Sequence, residues 1–585
     1  MTTKGPGNNS GRRLKLARLT FHQIIAISLV GTIVGLSTAF ATVGFVRLVR
    51  FLNELLFVSA ASRVDMAAGE LAIITILVLS GGGLILGLIL YYGVTDKAAL
   101  GPADTLFAIQ LRERLPSPLS GLSSTLAAAL SLGCGAPVGQ YGPLVYLGTL
   151  VGQFSNLLPL GLPHIRSIAI ACGVAAAVAT AFNAPLVALI ITHEVVLRHY
   201  SLRTFTAVAI ASACGYFVAN VLFDHAPLFQ IDIDGSFRAV EFLMFAVEGI
   251  ACGILAVVLM KSLRYSASLA KRVTIFPPLK PMIAGFVTAL VVLQVPEVLG
   301  AGQDVFREAI LGNSYSAADL LLILVAKSLI MILCIGFGFA GGVIFPSMLI
   351  GVLFGALFAL LVPGTLLDSY SGISDYAICG MVAVMSPVVG APIAALLLVF
   401  EITRNYEVTI AAMVAIVFAN LVASIWYGRS LYDQQLAARG IDLSMGRERA
   451  YLTHHKVSEL LTACLPVIAQ DARLAVANTE MSALHTTSAV IVDDEQRYLG
   501  ILLQQQTRDL DEATAIASIE LATSPCFDEH TSIWDAMQVM RAYMGDAIAV
   551  IDSSSGRYLG AIPESAVINA YLDATESLRR EKYEI

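Results

Sequence analysis

Two peptides with the same spacing of proline and glycine constrain this chain most: GAPVGQYGPLVYLGTLVG at 135–152 and GFAGGVIFPSMLIGVLFG at 338–355. In each, a proline (Pro143 or Pro346, 203 positions apart) is followed five and nine residues later by glycine, and neither peptide contains Lys, Arg, Asp or Glu. A helix that begins inside an apolar layer presents free backbone N–H groups and a partial positive charge at its start. The pair therefore predicts a buried site for an anion.

The composition places this site in a membrane. The chain has 585 residues, of which 57% are hydrophobic and only 14% charged. Five apolar runs are long enough to cross about 30 Å of hydrocarbon, at residues 22–49, 70–92, 240–260, 318–340 and 407–427. Other apolar segments are short or interrupted by Gly and Pro, which is typical of helices around a buried cavity. We predict an all-α polytopic membrane protein with broken helices.

Several other classes of protein are excluded by the same residues. The net charge of −7 comes largely from acidic residues in the carboxy-terminal part, so nucleic-acid binding is not expected. The eight cysteines are scattered without metal-ligand spacing and are predicted to be reduced. The string HEVVLRH at 193–199 lacks the HExxH spacing of zinc hydrolases. Neither a metal nor enzymatic chemistry is predicted.

A second pair of segments shows that the membrane part is duplicated. Ala184-Pro185 and Ala391-Pro392 each precede a glutamate, ten residues after the alanine, at Glu194 and Glu401. Together with the glycine peptides, they predict two halves in the same order, at about 20–230 and 231–440, as in many transporters. Glutamates at membrane depth suggest function, but their equivalent places at helix ends favour a structural or dimer-facing role.

The character of the chain changes after about residue 440. The alternating runs SAVIVDD (488–494) and AIAVIDS (547–553) predict strands, and each is followed by Tyr-Leu-Gly. Each strand is preceded by a helical stretch, near 472–484 and 531–543. This carboxy-terminal part is therefore predicted to be a soluble α/β region built from two similar modules.

Four marks in order along the chain resemble the CLC family of chloride channels and chloride/proton exchangers. They are GQYGP (139–143), the two segments from Ala-Pro to Glu, GGVIFP (341–346) and SLYDQQLAARGI (430–441). The resemblance implies two inverted halves, a homodimer with one anion path in each subunit, and a cytoplasmic pair of cystathionine-β-synthase-type (CBS) modules. It implies a multi-pass protein of the cytoplasmic membrane with both termini in the cytoplasm, and the basic residues before position 19 favour this orientation.

The predicted domain boundaries follow from the apolar runs and this resemblance. Residues 1–19 form a cytoplasmic tail, and 20–440 form the transmembrane anion-conducting domain. A linker at 441–455 leads to the first CBS module at 456–515 and the second at 516–585.

The resemblance also implies which groups bind the anion. Backbone N–H groups near Gly142, Ile344 and Phe345, with the hydroxyl of Tyr432, would coordinate a dehydrated anion. A further filter peptide of the family, G-S-G-I-P, has only a faint counterpart here, in which Leu100 replaces the serine and Gly101 follows. With fewer hydroxyl ligands, the site is expected to bind chloride weakly or to prefer bicarbonate or nitrate.

Two departures from the family concern protons. The family's gating glutamate is replaced by Tyr141, and the internal proton glutamate, expected after Glu194, is replaced by Val195. Ionising a tyrosine at neutral pH costs roughly 4 kcal/mol, given its ordinary pKa near 10, so Tyr141 is expected to stay neutral. We therefore predict an anion channel or passive uniporter, with Tyr141 lining or gating the path and with no coupling to protons.

Three alternatives remain from the sequence alone. An exchanger could route protons through His193, Glu194 or water, and a membrane sensor could have its pore closed by Tyr141 and Leu100. The CBS modules either bind an adenine nucleotide, with Asp509 as the partner of the ribose, or support the dimer without a ligand; the second module lacks the corresponding aspartate.

Overall fold

The computed structural model describes the chain in two compact units, residues 1–435 and 436–584. The described ranges are 9–59, 68–111, 115–154, 165–223, 237, 240–312, 315–361, 372–508, 510–522, 524–543 and 545–583. Asp509, the predicted ribose partner, lies outside them.

The first unit consists of helices. In chain order they are α1 (Asn9–Leu55), α2 (Ala68–Gly93), α3 (Pro102–Gln110), α4 (Pro118–Gly133), α5 (Tyr141–Gln153), α6 (Ile165–Phe182), α7 (Pro185–Ile191), α8 (Leu202–Phe217), α9 (Glu241–Arg272), α10 (Leu279–Val292), α11 (Gln303–Leu311), α12 (Ala317–Gly336), α13 (Ile344–Leu361), α14 (Ile373–Val389), α15 (Pro392–Thr403), α16 (Tyr406–Trp426) and α17 (Leu431–Ala437). Two of them continue in π-helical turns, α7 through Thr192–Leu197 and α8 through Val218–Leu222.

Eight helices among the described residues are long and apolar enough to cross a membrane. They cover Ile24–Leu55, Gly69–Gly93, Ile165–Phe182, Leu202–Leu222, Glu241–Arg272, Ala317–Gly336, Ile344–Leu361 and Tyr406–Ala437. Four shorter apolar helices accompany them: Pro185–Leu197, Leu279–Val292, Ile373–Val389 and Pro392–Thr403. The prediction of a polytopic helical protein with short and broken helices is confirmed.

Glycines bring α5 close to α6 and α13 close to α14 in the same way. A Cβ placed on Gly148 would lie 2.4 Å from the carbonyl oxygen of Gly173, and one on Gly351 would lie 2.3 Å from that of Gly380. Such distances leave no room for any side chain, so the helix backbones are in direct contact. Gly148 and Gly351 therefore serve helix packing in both halves.

The outer helices repeat a second glycine pattern. On α1, a Cβ at Gly31 or Gly35 would collide with the α8 backbone at Ala207 or Ala211. On α9, Gly249 and Gly253 meet the α16 backbone at Ala415 and Ala419 in the same manner. Aligning these glycines pairs Val30 of α1 with Glu248 of α9, because each directly precedes the first glycine of its pair.

The second unit contains two three-stranded sheets of the same design, which agrees with the prediction of two similar α/β modules. Its strands are β1 (Val467–Ala469), β2 (Ser488–Val492), β3 (Tyr498–Leu503), β4 (Cys526–Asp528), β5 (Ala547–Ile551) and β6 (Tyr558–Pro563). In each sheet, the middle strand pairs parallel with the first and antiparallel with the third, and both antiparallel pairs shift register at the same place. The short strands β1 and β4 were not apparent from the sequence.

Helices complete the two modules of this unit. They are α18 (Arg447–His454), α19 (Leu474–Leu484), α20 (Gln504–Thr507), α21 (Ile533–Met540) and α22 (Glu564–Tyr583). The modules are joined reciprocally, since the Tyr498 N–H donates to the Gly556 carbonyl and the Tyr558 N–H donates to the Gln496 carbonyl. The second unit is therefore a pseudo-symmetric pair of modules.

Candidate anion site

The amino-terminal ends of α5 and α13 lie directly against each other. Just before the two helices, the Gly139 N–H donates to the Gly342 carbonyl over 2.8 Å, and the Gly342 N–H donates back to Gly139 over 2.6 Å. A Cβ on Gly142 would lie 2.8 Å from the Gly342 Cα. The two glycine peptides of the sequence thus form one structural element, in which two helices begin at the same buried point.

The first turns of these two helices carry backbone N–H groups that have no acceptor within the helix. In each helix, the first intrahelical hydrogen bond comes from the residue after the proline, and proline itself has no N–H. This leaves the N–H groups of Tyr141, Gly142, Ile344 and Phe345 without a helical partner. All four residues are buried, so these donors and the positive helix ends are suited to a small anion.

Several other helices of the first unit have side-chain caps or acidic first turns, although α10 has neither. The capping residues are Asp104 for α3, Ser117 for α4, Ser201 for α8, Ser316 and Asp319 for α12, Asp375 for α14 and Asn405 for α16. By contrast, neither α5 nor α13 has an acidic residue in its first turn. Their positive ends are therefore not neutralised by their own side chains.

Glu194 and Glu401 cap α15 and α7 reciprocally. The carboxylate of Glu401 accepts the N–H groups of Leu186 and Val187 over 3.1 and 3.0 Å. The carboxylate of Glu194 accepts those of Ile393 and Ala394 over 3.0 and 2.9 Å. Each half therefore caps a short helix of the other, which agrees with the structural role expected of both glutamates.

Tyr141 is the first residue of α5 and is 1% exposed. Its ring stacks on that of Phe182, with ring centroids 3.6 Å apart and planes 10° apart, and the centroid of Phe345 lies 6.2 Å away. The hydroxyl is buried. The side chain of Gln140 lies near it, but the two groups are not joined by a hydrogen bond of ordinary geometry. A neutral aromatic ring thus lies where the two helices meet.

Tyr432 lies on α17 and is 4% exposed, with its hydroxyl buried and without a hydrogen-bond partner. The neighbouring Asp433 fixes this helix, because one of its oxygens pairs with Arg198 at 2.6 Å and the other accepts from the Ser430 hydroxyl at 2.9 Å. The backbone around Tyr432 is therefore anchored, while its hydroxyl remains available as a donor.

Leu100 and Gly101 use their N–H groups inside the protein. The Leu100 N–H donates to the Ser124 hydroxyl over 2.8 Å, and the Gly101 N–H donates to the carboxylate of Asp104 over 2.7 Å. Both would have to exchange partners before contacting an anion. Their predicted place on the pore stays a prediction.

Val195 and its neighbours His193 and Glu194 do not form a continuous polar path. Val195 is buried and apolar, and its carbonyl accepts from the Arg198 Nε. His193 is fully buried, with Nδ1 2.9 Å from the Leu189 carbonyl oxygen and Nε2 without a partner. Glu194 is occupied in capping α15.

The sequence analysis did not predict which groups fix the segment before α5, residues 134–140. Lys327 of α12 is fully buried and donates to the carbonyls of Val298 and Gly300 over 2.8 and 2.7 Å. The Gly300 N–H in turn donates to the Gly135 carbonyl over 2.8 Å. A lone lysine inside the apolar run 318–340 was the available signal for this brace. No group of metal-binding residues occurs in the described part of the chain.

Comparison with known proteins agrees with this geometry. Residues 82–424 match the family described as voltage gated chloride channel. A putative chloride channel protein ClcB-like from Ralstonia nicotianae is 25% identical over 410 residues, which cover 69% of this chain and 95% of the relative. The H(+)/Cl(-) exchange transporter ClcA from Vibrio campbellii is 29% identical over 52% of this chain and 67% of its own length.

Solved structures show the same fold. A slow cyanobacterial Cl-/H+ antiporter superimposes with a TM-score of 0.62 at 22% identity, covering 72% of this chain and 98% of the antiporter. A eukaryotic CLC transporter gives a TM-score of 0.62 at 17% identity, covering 93% and 98%. The family match at residues 82–424 spans more than half of this chain. The chain therefore belongs to the voltage gated chloride channel family, the CLC family of channels and exchangers.

Proposed function

We propose that this protein is an anion channel or passive uniporter in which anion movement is not coupled to protons. The observation that carries the proposal is the meeting point of α5 and α13, where two uncapped helix ends surround a buried tyrosine instead of a carboxylate. The N–H groups and helix dipoles replace part of the anion's hydration. Tyr141 borders the outer part of the path and Tyr432 its inner part.

The absence of proton coupling follows from the chemistry of Tyr141 and Val195. A phenol with an ordinary pKa near 10 does not exchange a proton during transport at neutral pH. A valine cannot pass one onward. Glu194, which lies beside that valine, has both oxygens engaged by backbone N–H groups, so protonation would weaken the cap of α15.

The decisive experiment is simultaneous recording of chloride and proton movement by the purified protein in liposomes. An imposed chloride gradient is expected to drive chloride flux with no uphill proton movement. The matched variant Tyr141→Glu/Val195→Glu restores both acids, and it is expected to move protons against their gradient if the path is otherwise of the exchanger type. Uphill proton movement by the unmodified protein would establish the exchanger alternative instead.

A second candidate, a sensor with a closed pore, is favoured by one observation. Tyr141 is almost fully buried and stacked on Phe182, which is also how a permanent plug would lie. Flux by the unmodified protein would exclude this candidate. Flux seen only in Tyr141→Ala would support it, whereas Tyr141→Phe separates the contribution of the hydroxyl from that of the ring.

The remaining assignments are proposals of the same kind. We propose a homodimer of the cytoplasmic membrane with cytoplasmic termini. Cross-linking in membranes tests the dimer, and protease protection tests the location of the termini. Chloride is the proposed substrate, with bicarbonate and nitrate as competitors in the same flux assay. The second unit is proposed to be the CBS pair; an ATP-binding measurement on the full chain and its Asp509→Ala variant distinguishes nucleotide binding from a purely supporting role.

A further inference from the structure

The middle of α9 carries a carboxyl group that the proposed anion path does not use. Glu248 is 0% exposed, and neither of its side-chain oxygens has a hydrogen-bond partner. It lies within a helix that is long and apolar enough to span the membrane. A buried carboxylate without a partner is costly, so such a residue requires an explanation.

The carboxyl group is held between α13 and α14 at two glycines. A Cβ on Gly355 would lie 2.9 Å from Glu248 Oε1, and one on Gly380 would lie 3.0 Å from the same oxygen. These two glycines also allow the helices to touch, because a Cβ on Gly355 would be 2.2 Å from the Tyr376 carbonyl oxygen. Glu248 therefore inserts at a close contact between α13 and α14.

The first half shows that this crossing does not need an acid. Val30 occupies the position on α1 that Glu248 occupies on α9, and it is 1% exposed. The corresponding α5–α6 contact also leaves no room for a side chain, since a Cβ on Gly152 would lie 2.5 Å from the Ala169 carbonyl oxygen. Because valine fills this position in one half, helix packing alone does not account for glutamate in the other.

The groups around Glu248 offer it no positive charge. Tyr376 and Cys379 face it from α14, and Cys252 lies one turn along α9. The Tyr376 hydroxyl is also buried without a partner, and Asp375 and Glu241 lie further along the same interface. α13 contributes glycine at the contact, and α16 contributes the backbone at Ala415, against the adjacent Gly249. No Lys, Arg or His of the described chain pairs with this carboxyl.

We propose that Glu248 is a proton-binding site at the contact between α13 and α14, and that release of its proton loosens this contact. The neutral acid fits among apolar and glycine surfaces, whereas the carboxylate would have to recruit water or move. The same α13 begins at the anion site with Ile344 and Phe345. Proton release at Glu248 therefore shifts the helix that carries half of the anion ligands.

This site regulates the proposed function and is not a step of proton transport. The inference goes beyond the anion path itself and relies on the proposed function only for its flux readout. A proton bound at Glu248 need not cross the membrane, so anion flux can depend on pH while remaining uncoupled from protons.

The first test detects the proton directly and needs no transport. Infrared spectroscopy of the purified protein in lipid is expected to show the carbonyl band of a buried protonated carboxylic acid at neutral pH. The band should disappear in Glu248→Gln and persist in Glu70→Gln, a control at an exposed glutamate in the first turn of α2. A spectrum of Glu248→Gln identical to that of the unmodified protein would overturn the proposal.

The second test measures anion flux between about pH 5 and about pH 9. A carboxyl group buried in a protein gains or loses its proton within this range. Flux by the unmodified protein is expected to change several-fold, and Glu248→Gln should keep the low-pH value throughout. Glu248→Val, which copies Val30, should behave like Glu248→Gln and shows that the fold tolerates the change. If both folded variants keep the pH profile of the unmodified protein, Glu248 does not regulate anion flux. If the unmodified protein and both variants all lack anion selectivity, the result counts against the proposed function alone.

Discussion

The two halves of the membrane unit share their helix crossings and differ in the chemistry placed on them. Gly148 and Gly351 make the same backbone contact, and so do Gly152 and Gly355. Yet Ala169 of the first half corresponds to Tyr376 of the second, whose hydroxyl is buried without a partner. Glycine determines how closely two helices approach, so it is repeated, whereas Tyr376 and Glu248 of the second half have apolar counterparts, Ala169 and Val30, in the first.

The anion site shows the same division. The backbone arrangement at the starts of α5 and α13 is equivalent in both halves, from the paired Gly139 and Gly342 to the prolines at the third helical position. The side chains differ, since Tyr141 of the first half corresponds to Ile344 of the second. The backbone N–H groups that we propose as anion ligands therefore come from both halves, whereas the tyrosine that we propose to control the path has no counterpart in the second half.

The largest effect is expected from Gly142→Ala, which disrupts this shared backbone arrangement. The new Cβ would lie 2.8 Å from the Gly342 Cα, and backbone atoms cannot yield as a flexible side chain can. Overpacking of this kind costs about 1–3 kcal/mol, and separation of the two helix ends should abolish most anion flux. Liposome flux assays measure the loss.

A matched substitution at an open position provides the control. Gly44→Ala on α1 has no heavy atom within 4 Å of the new Cβ, so flux and thermal stability should be unchanged. If Gly142→Ala transports as well as Gly44→Ala, the close approach of α5 and α13 is not required for the anion site.

A smaller and symmetric effect is expected at the reciprocal caps. Glu194→Gln and Glu401→Gln each weaken two charge-assisted hydrogen bonds at a helix start, and loss of a cap typically costs about 0.5–2 kcal/mol. The midpoint temperature of thermal unfolding in detergent should therefore fall by a similar amount in the two variants. The partly exposed capping site makes a larger loss unexpected.

Unequal losses would show that the two halves are not equivalent at these helix ends. In particular, a change in chloride flux in Glu194→Gln but not in Glu401→Gln would indicate that Glu194 also serves transport. The double variant tests coupling, because both caps join the same two short helices and their effects need not be additive.

The sequence was sufficient for features that repeat. Proline, glycine and the Ala-Pro to Glu spacing recur at fixed offsets, so the broken helices, the duplicated membrane part and the paired strands of the second unit were predictable. Glycine and proline act through the backbone, which makes their positions informative without knowledge of the partner helix. The prediction that α5 and α13 begin at a common point needed the family resemblance in addition.

Features that depend on a distant partner were not predictable. Nothing in the residues around Glu401 shows that its carboxylate caps α7, and the brace from Lys327 to Gly300 connects α12 with the segment before α11. Likewise, the sequence does not show that Glu248 is fully buried between α13 and α14 without a hydrogen-bond partner. Burial and hydrogen bonding across elements require the three-dimensional arrangement.

The smallest expected effect comes from comparing the two modules of the second unit. After β5, Asp552 accepts hydrogen bonds from the hydroxyls and N–H groups of Ser554 and Ser555, and these hold the pKa of its carboxyl well below the usual range. After β2, the corresponding Asp493 accepts only the N–H groups of Glu495 and Arg497. The second module therefore has an acid-sensitive turn that the first lacks.

Because the folded pKa of Asp552 is lowered, its contribution to stability is complete above the unfolded value of about 4 and is lost as the pH falls further. Acid should thus destabilise the second module, and Asp552→Asn should flatten that dependence. The full chain carrying Trp426→Phe allows the measurement, since Trp534, which packs against the core of the second module, is then the only tryptophan. Asp493→Asn is the matched control. Equal flattening by both variants would mean that the extra serine hydroxyls contribute nothing, so the modules would be alike in their turns as well as in their sheets.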